Sequence, residues 1–400
     1  MPLKIILPLA ACLLLTWPLY RLTTASRASG QQPGQSGAAP VQPVAAAPKN
    51  GPLSLSDFNR AIERLSEPGG YFDTDNLISN ESSYLHVMGK LRQLGLSGGA
   101  YIGVGPDQNF SYIAQVRPRI AIISDIRRDN VLQHLFFKAL FARAQGRIEY
   151  LCLLTSRVAP GSPRDFDNKT IDQLTAWLDQ KPLSADAQAR TSAAIVETIR
   201  GYGVKISAEE IETVRRIHQS FSREGLSLQF TSHGRGPRSY YPTLRDLILE
   251  KDLAGRQCSY LASEESYQFL RTLQSQNLLI PITGDLGGAK ALKEVGRFLK
   301  DRGEKVTAFY TSNVEYYLMQ NDTFEQFAEN VRELPRDPKG VFIRSFFGGT
   351  WGRALPQSVP GYYSTQLLQP LDAFVREYGA GRLRQYNELI TRESLDLKAN

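Results

Sequence analysis

The chain has 400 residues, 42% of them hydrophobic and 10% aromatic, and a formal net charge of +7. That composition excludes disorder throughout, and the length exceeds what one hydrophobic core usually organises, so one large α/β domain with an insertion, or two domains, is expected. Lys4, Arg21 and Arg27 account for three of the positive charges and stand in a leader without acidic residues. The excess on the remainder falls short of the dense basic stripe of a dedicated nucleic-acid binder.

In chain order, Ile5 to Tyr20 form an apolar run behind Met1 and Lys4, the layout of a signal peptide or signal anchor over residues 1–28. The run is shorter than a comfortable membrane span of about 20 residues. Positive charges on both sides of it leave orientation open. Residues 29–52 are rich in Gln, Pro, Ala and Gly with almost no charge, which reads as a flexible tether. The folded part is expected from residue 53 to residue 400. Leader and tether together point to the cell envelope, with the domain either exported or held by a membrane anchor on the cytoplasmic side.

Helical spacing of Phe58, Ile62 and Leu65 predicts a first helix over Asp57–Leu65, and Ser79 caps a second that runs through Leu94 and stops at Gly95. Ala100–Val104 and Ile120–Ser124 read as buried strands, and Val131–Phe141 as a helix packed on them. Glu149–Leu154 reads as a third strand. Residues 155–275 change character and form a mainly helical insertion. Its helices lie near Ile171–Leu178, Ala185–Ile199 and Ala208–Ser222, the last opened by a capping box from Ser207 to Glu210. Strand character returns at Leu226–Phe230, before a glycine-rich loop from Thr231 to Arg238 placed to act as a lid. Leu278–Thr283, Lys305–Tyr310 and Gly340–Arg344 are further strands, separated by helices over Ala289–Leu299 and from Ser312 to Met319. Such alternation predicts an α/β fold with a Rossmann-like, mostly parallel, doubly wound sheet.

The most informative stretch runs from Gly98 to Asp125. Gly103 and Gly105 sit where a chain leaving a strand bends sharply and lets a ligand touch backbone, and Pro106 suits the first turn of the following helix. Asp107 and Asn109 are placed to cap that helix or to meet a ligand. Asp125 closes the next strand about 20 residues on, where an acid accepts hydrogen bonds from ribose hydroxyls. A dinucleotide fingerprint needs a third glycine at position 108, which is Gln108 here. Without a ligand, the same residues make an ordinary α/β turn with a surface aspartate.

Over roughly Ala100 to Asn130 these residues resemble the class I S-adenosylmethionine-dependent methyltransferases. The resemblance implies S-adenosylmethionine as cofactor, with Gly103, Gly105 and Asp107 in its loop and Asp125 at its ribose. The run Pro68-Gly-Gly-Tyr-Phe-Asp-Thr-Asp-Asn-Leu-Ile-Ser-Asn-Glu81 also resembles a family of bacterial proteins without assigned function, which implies no reaction.

Methyl transfer asks for positioning and a proton acceptor, for which Asp285 and His233 are the candidates. Gly284, Gly287 and Gly288 around Asp285 let backbone approach an anion or substrate closely, although Asp285 as a simple helix cap explains them equally. Asn80, Glu81, Asn313 and Tyr316 are candidate pocket residues, whereas Ser312 and Glu315 match a capping box. His86, His134, His218 and His233 show no metal-ligand spacing, and neither a nucleophile elbow nor a phosphate-binding loop is present. Cys152 and Cys258 leave a disulfide open. Because S-adenosylmethionine is an intracellular metabolite, an exported domain would lack it. The alternative is a non-enzymatic, envelope-associated binding protein whose aromatic segments Phe346–Trp351 and Tyr362–Tyr363 form an interaction surface.

Overall fold

Five apolar runs become parallel strands; four are buried along nearly their whole length and the fifth over its second half, as strands covered on both faces must be. The computed structural model describes residues 50–232, 238–348 and 354–398. Its strands are β1 (Ala100–Val104), β2 (Ile120–Asp125), β3 (Leu279–Thr283), β4 (Val306–Ser312), β5 (Arg336–Phe346) and β6 (Thr365–Pro370). They form one sheet in the order β3-β2-β1-β4-β5-β6, parallel except for β6, which runs antiparallel to β5.

Register fixes where the strand ends meet. Val104 pairs with Ser124 and Ser124 with Ile282, so Gly105, Asp125 and Gly284 emerge side by side at one edge. The backbone NH of Gly284 donates to the carbonyl of Asp125 at 2.8 Å. Helices Gln108–Val116, Arg128–Arg143 and Glu264–Ser275 pack together and against β1 to β3, while Leu55–Leu65, Ala291–Asp301, Phe324–Glu333 and Leu371–Gly379 form a second group on β3 and β5.

Residues 155–275 include the helices Ile171–Asp179, Ala185–Gly201 and Ala208–Glu224. The capping box at Ser207 and Glu210 is formed, each side chain bonded to the other's backbone NH. Two expected strands are not strands. Glu149–Leu154 lies in the helix Arg147–Thr155, which buries Tyr150, Leu151 and Leu154 on helical spacing, an ambiguity inherent in short apolar runs. Leu226–Phe230 makes only a single bridge, Gln229 to Thr243, after a short 3-10 turn. The expected helix from Ser79 to Leu94 is helical only over Met88–Gln93, and Ser79 Oγ accepts from the NH of Glu81 instead of opening a helix. Strand β6 escaped the sequence because its buried Gln366 and Gln369 interrupt the apolar pattern.

Cys152 and Cys258 are both free thiols, and burial pushes each up to about 12. Among the described residues no helix is long and apolar enough to cross a membrane. The leader and nearly all of the tether lie outside the described residues.

Candidate functional site

The turn after β1 separates the two glycines that the sequence treats alike. A Cβ on Gly103 would lie 2.0 Å from Asn109 Oδ1 and 2.7 Å from the Tyr101 ring, so this glycine makes room for packing and not for a ligand. Gly105 takes the left-handed conformation (φ +78°), and a Cβ there would meet only the Gln108 amide at 3.7 Å. Its carbonyl is held by Nε2 of His134 at 2.9 Å. Burial lowers His134 to about 4, so at neutral pH its imidazole is uncharged and donates from Nε2.

Asn109 is consumed inside the turn, donating to the carbonyls of Val104 and Pro106 at 2.7 Å each and accepting from the Tyr101 hydroxyl at 2.8 Å. Asp107 points away into the helical layer, where Oδ2 accepts from Tyr260 at 3.0 Å and burial raises its carboxyl to about 6. Gly103, Asp107 and Asn109 therefore do not line the cavity that opens at this edge; Gly105 does.

That cavity, of about 560 Å³, lies against the carboxyl ends of β1 to β4, where the strand order reverses. Its size falls within the range of small-molecule sites. It also brings together Asn80, Glu81, Asp125, Asp285, Asn313 and Tyr316, six of the residues singled out in the sequence. His233 lies outside the described residues, as does most of the loop proposed as a lid.

Asp125 is not an open acceptor. Its carboxylate receives Nη2 and Nε of Arg127 at 2.8 and 3.1 Å and the Arg127 backbone NH at 2.8 Å, which uses three of its roughly four acceptor positions. Arg127 also donates to the carbonyls of Thr74 and Asp75, tying the wall that carries Phe72 to the end of β2. A bidentate contact to a ribose diol is closed to Asp125 in this arrangement; one acceptor position is left.

The glycine loop after β3 does not hold an anion site either. Glu67 reaches in from the end of the first helix, accepting the backbone NH of Asp285 at 2.8 Å and those of Lys290 and Ala291 at 3.2 Å each. A Cβ on Gly288 would lie 2.4 Å from its Oε1, so that glycine makes space for the chain's own carboxylate. Asp285 itself accepts from the NH of Gly287 at 2.9 Å.

Glu81 lines the cavity from a buried position. It is 1% exposed, and its oxygens accept from the hydroxyls of Tyr310 (2.7 Å) and Ser312 and from the Gln366 amide (3.0 Å). Gln108 donates in turn to the Tyr310 hydroxyl at 2.9 Å, and the amide oxygens of Gln108 and Gln366 are buried without a protein partner. No basic side chain among the described residues pairs with Glu81. The sequence named Glu81 as a pocket residue, and Glu81 lines the cavity; it named Gln108 only as the residue in place of a third glycine and did not single out Tyr310 or Gln366, of which Tyr310, at a strand end of this edge, could have been flagged.

The capping box expected at Ser312 and Glu315 is absent. Ser312 adopts a left-handed backbone (φ +55°) and turns its hydroxyl to Glu81, while Glu315, fully buried, pairs with Arg344 at 2.8 Å and accepts from Thr311 at 2.9 Å. A buried arginine without another carboxylate outweighs a helix cap. Aromatic rings complete the walls, with Phe72 edge-on to Tyr317 at 5.1 Å and Tyr316 against Tyr386 at 5.3 Å. Among the described residues no group of three or more His, Cys, Asp or Glu side chains is gathered to hold a metal.

A family described as a domain of unknown function (DUF7790) matches residues 77–161 and 175–394. The chain belongs to this family. The DUF7790 match includes all six strands and the cavity residues from Ser79 onward, while the wall from Tyr71 to Asn76 precedes it. The run ending at Glu81, read in the sequence as similar to proteins without assigned function, enters the DUF7790 domain at residue 77. No curated protein matches the chain.

Proposed function

We propose that the cavity binds a cationic, nucleoside-bearing small molecule of the S-adenosylmethionine type, on a Rossmann-like sheet. One observation carries the reading: the open left-handed turn at Gly105 faces a cavity of ligand size where the strand order reverses, the place at which doubly wound sheets bind ligands. The order β3-β2-β1-β4-β5-β6 supports it, since it matches the dinucleotide-binding order with only the last strand reversed.

The residues fit a cation better than an anion. Asp73, Glu81, Asp125 and Asp285 line the cavity against Arg238 as the lone lining base among the described residues, and aromatic faces attract a sulfonium or ammonium centre. Glu81, buried and without a basic partner among the described residues, is the acid offered to the cation. The unpartnered amide oxygen of Gln108 accepts a ligand N–H or O–H, and Asp125 keeps one acceptor position for a single hydroxyl. When bound, the cofactor supplies a methyl group on a sulfonium. The chain's part is to orient it by backbone at Gly105 and to exclude water with Phe72, Tyr316 and Tyr317.

A second reading, ligand binding without turnover, is favoured by the state of three of the lining acids. Asp125 is held by Arg127, Asp285 by a backbone NH and Glu81 by three donors, so none of the three stands ready as a general base. Calorimetric titration of the full chain with S-adenosylmethionine and S-adenosylhomocysteine tests the site. Saturable binding that weakens at least about tenfold in Gly105→Val and in Glu81→Gln is expected. A folded wild-type chain that binds neither compound refutes it.

A further inference from the structure

A second cavity, of about 580 Å³, opens between the helices Arg128–Arg143, Ala185–Gly201 and Glu264–Ser275, away from the sheet edge. Its lining includes Lys138 and Arg271 but no Asp or Glu. Lys138 is 4% exposed; its amine donates to the carbonyl of Gln274 and lies 5.0 and 5.2 Å from the ring centres of Phe58 and Tyr202. Burial, with no carboxylate to oppose it, pushes the amine down to about 7.

Capping the last turn of the helix Glu264–Ser275 explains one of the three N–H groups of Lys138. It does not explain the neighbours. Gln274 is 2% exposed, and neither its amide oxygen nor its amide nitrogen has a hydrogen-bond partner. The Tyr202 hydroxyl and Nε of Arg271 are likewise buried and unpartnered. Buried polar atoms are nearly always bonded, so four orphans around one cavity that also holds an uncompensated amine indicate a missing partner. The Gln274 amide oxygen asks for a donor, whereas the other three orphans and the Lys138 amine ask for a partner that accepts hydrogen bonds and rests an apolar part on Leu55 and Phe141.

We propose that this cavity is a second binding site, for a small organic carboxylate held by Lys138, Arg271 and the Gln274 amide. The site is independent of the ligand at the sheet edge.

Benzoate is the probe and benzyl alcohol its neutral counterpart, each titrated calorimetrically into the full chain. Saturable benzoate binding is expected, with no heat from benzyl alcohol. Lys138→Met should weaken benzoate about tenfold or more, and Lys300→Met, on an exposed position of another helix, should leave it unchanged. If Lys138→Met does not fold, Gln274→Leu is read in its place with the same expectation. The proposal is overturned if the folded wild-type chain does not bind benzoate, if benzyl alcohol binds equally well, or if the folded Lys138 or Gln274 variant binds benzoate as tightly as wild type.

Discussion

Arg127→Met removes the side chain that occupies the Asp125 carboxylate. Asp125 is 8% exposed and would lose two charged hydrogen bonds while staying out of water, and Thr74 and Asp75 would lose the donor that fixes them. Breaking one side of a buried pair costs about 3–5 kcal/mol, and the two carbonyl contacts at about 1 kcal/mol each lie inside that figure. The double variant Asp125→Asn/Arg127→Met leaves no uncompensated charge and should recover about half or more of the loss. Urea unfolding monitored by tryptophan fluorescence and by circular dichroism gives both numbers from the shift in midpoint at constant slope. A single variant less than about 1 kcal/mol below wild type, or a double variant no more stable than the single, would falsify the assignment of Arg127 as the resident partner of Asp125.

The two glycines of the turn should respond differently. Gly103→Ala drives a methyl into Asn109 and breaks its bond to Tyr101, for about 3 kcal/mol, whereas Gly105→Ala has space and costs only the left-handed backbone, about 1–2 kcal/mol. Thermal unfolding ranks them, and the reverse order contradicts the geometry. Asp107 and His134 make opposite contributions to the pH dependence of stability. The folded-state value of Asp107 is raised from 3.8 to about 6, so the stability it contributes below pH 4 is lost as pH rises through 6, and Asp107→Asn should gain on the order of 3 kcal/mol over wild type across that interval. His134 is lowered from 6.5 to about 4, so its contribution is present above 6.5 and lost as pH falls toward 4; stability should therefore drop more steeply on acidification in Asp107→Asn than in wild type. A difference between variant and wild type that stays constant from pH 4 to 7 contradicts the Asp107 assignment, and a stability of Asp107→Asn that does not fall between pH 6.5 and 4 contradicts that of His134. Glu67→Ala should cost about 2 kcal/mol, measured in urea, because three backbone NH groups lose their acceptor; an unchanged midpoint removes that role.

The parallel strands were legible because each is a short apolar run closed by a turn signal, and this carried the strand ends and hence Gly105, Asp125, Asp285 and Asn313 to one edge. What stayed hidden depends on contacts distant in sequence. Nothing local says that Arg127 doubles back onto Asp125, that Glu67 crosses more than 200 residues to cap the helix at Ala291, or that Gln366 bonds Glu81. The capping box at Ser312 failed for the same reason: its local preference is worth about 1 kcal/mol, and a buried Arg344 that must find a carboxylate outweighs it. Helix and strand were confused at Glu149–Leu154 because a run of six residues is too short to show its period.

Glu67 has a consequence for selectivity. Being part of the same chain, it presents its carboxylate to the NH groups after β3 at an effective concentration on the order of millimolar or above, without the entropy that a free ligand loses on association. A phosphate group would have to displace it and would leave a carboxylate stranded in a half-buried loop. The NH groups after β3 are thus saturated from within, so an anion finds no free backbone donors in that loop.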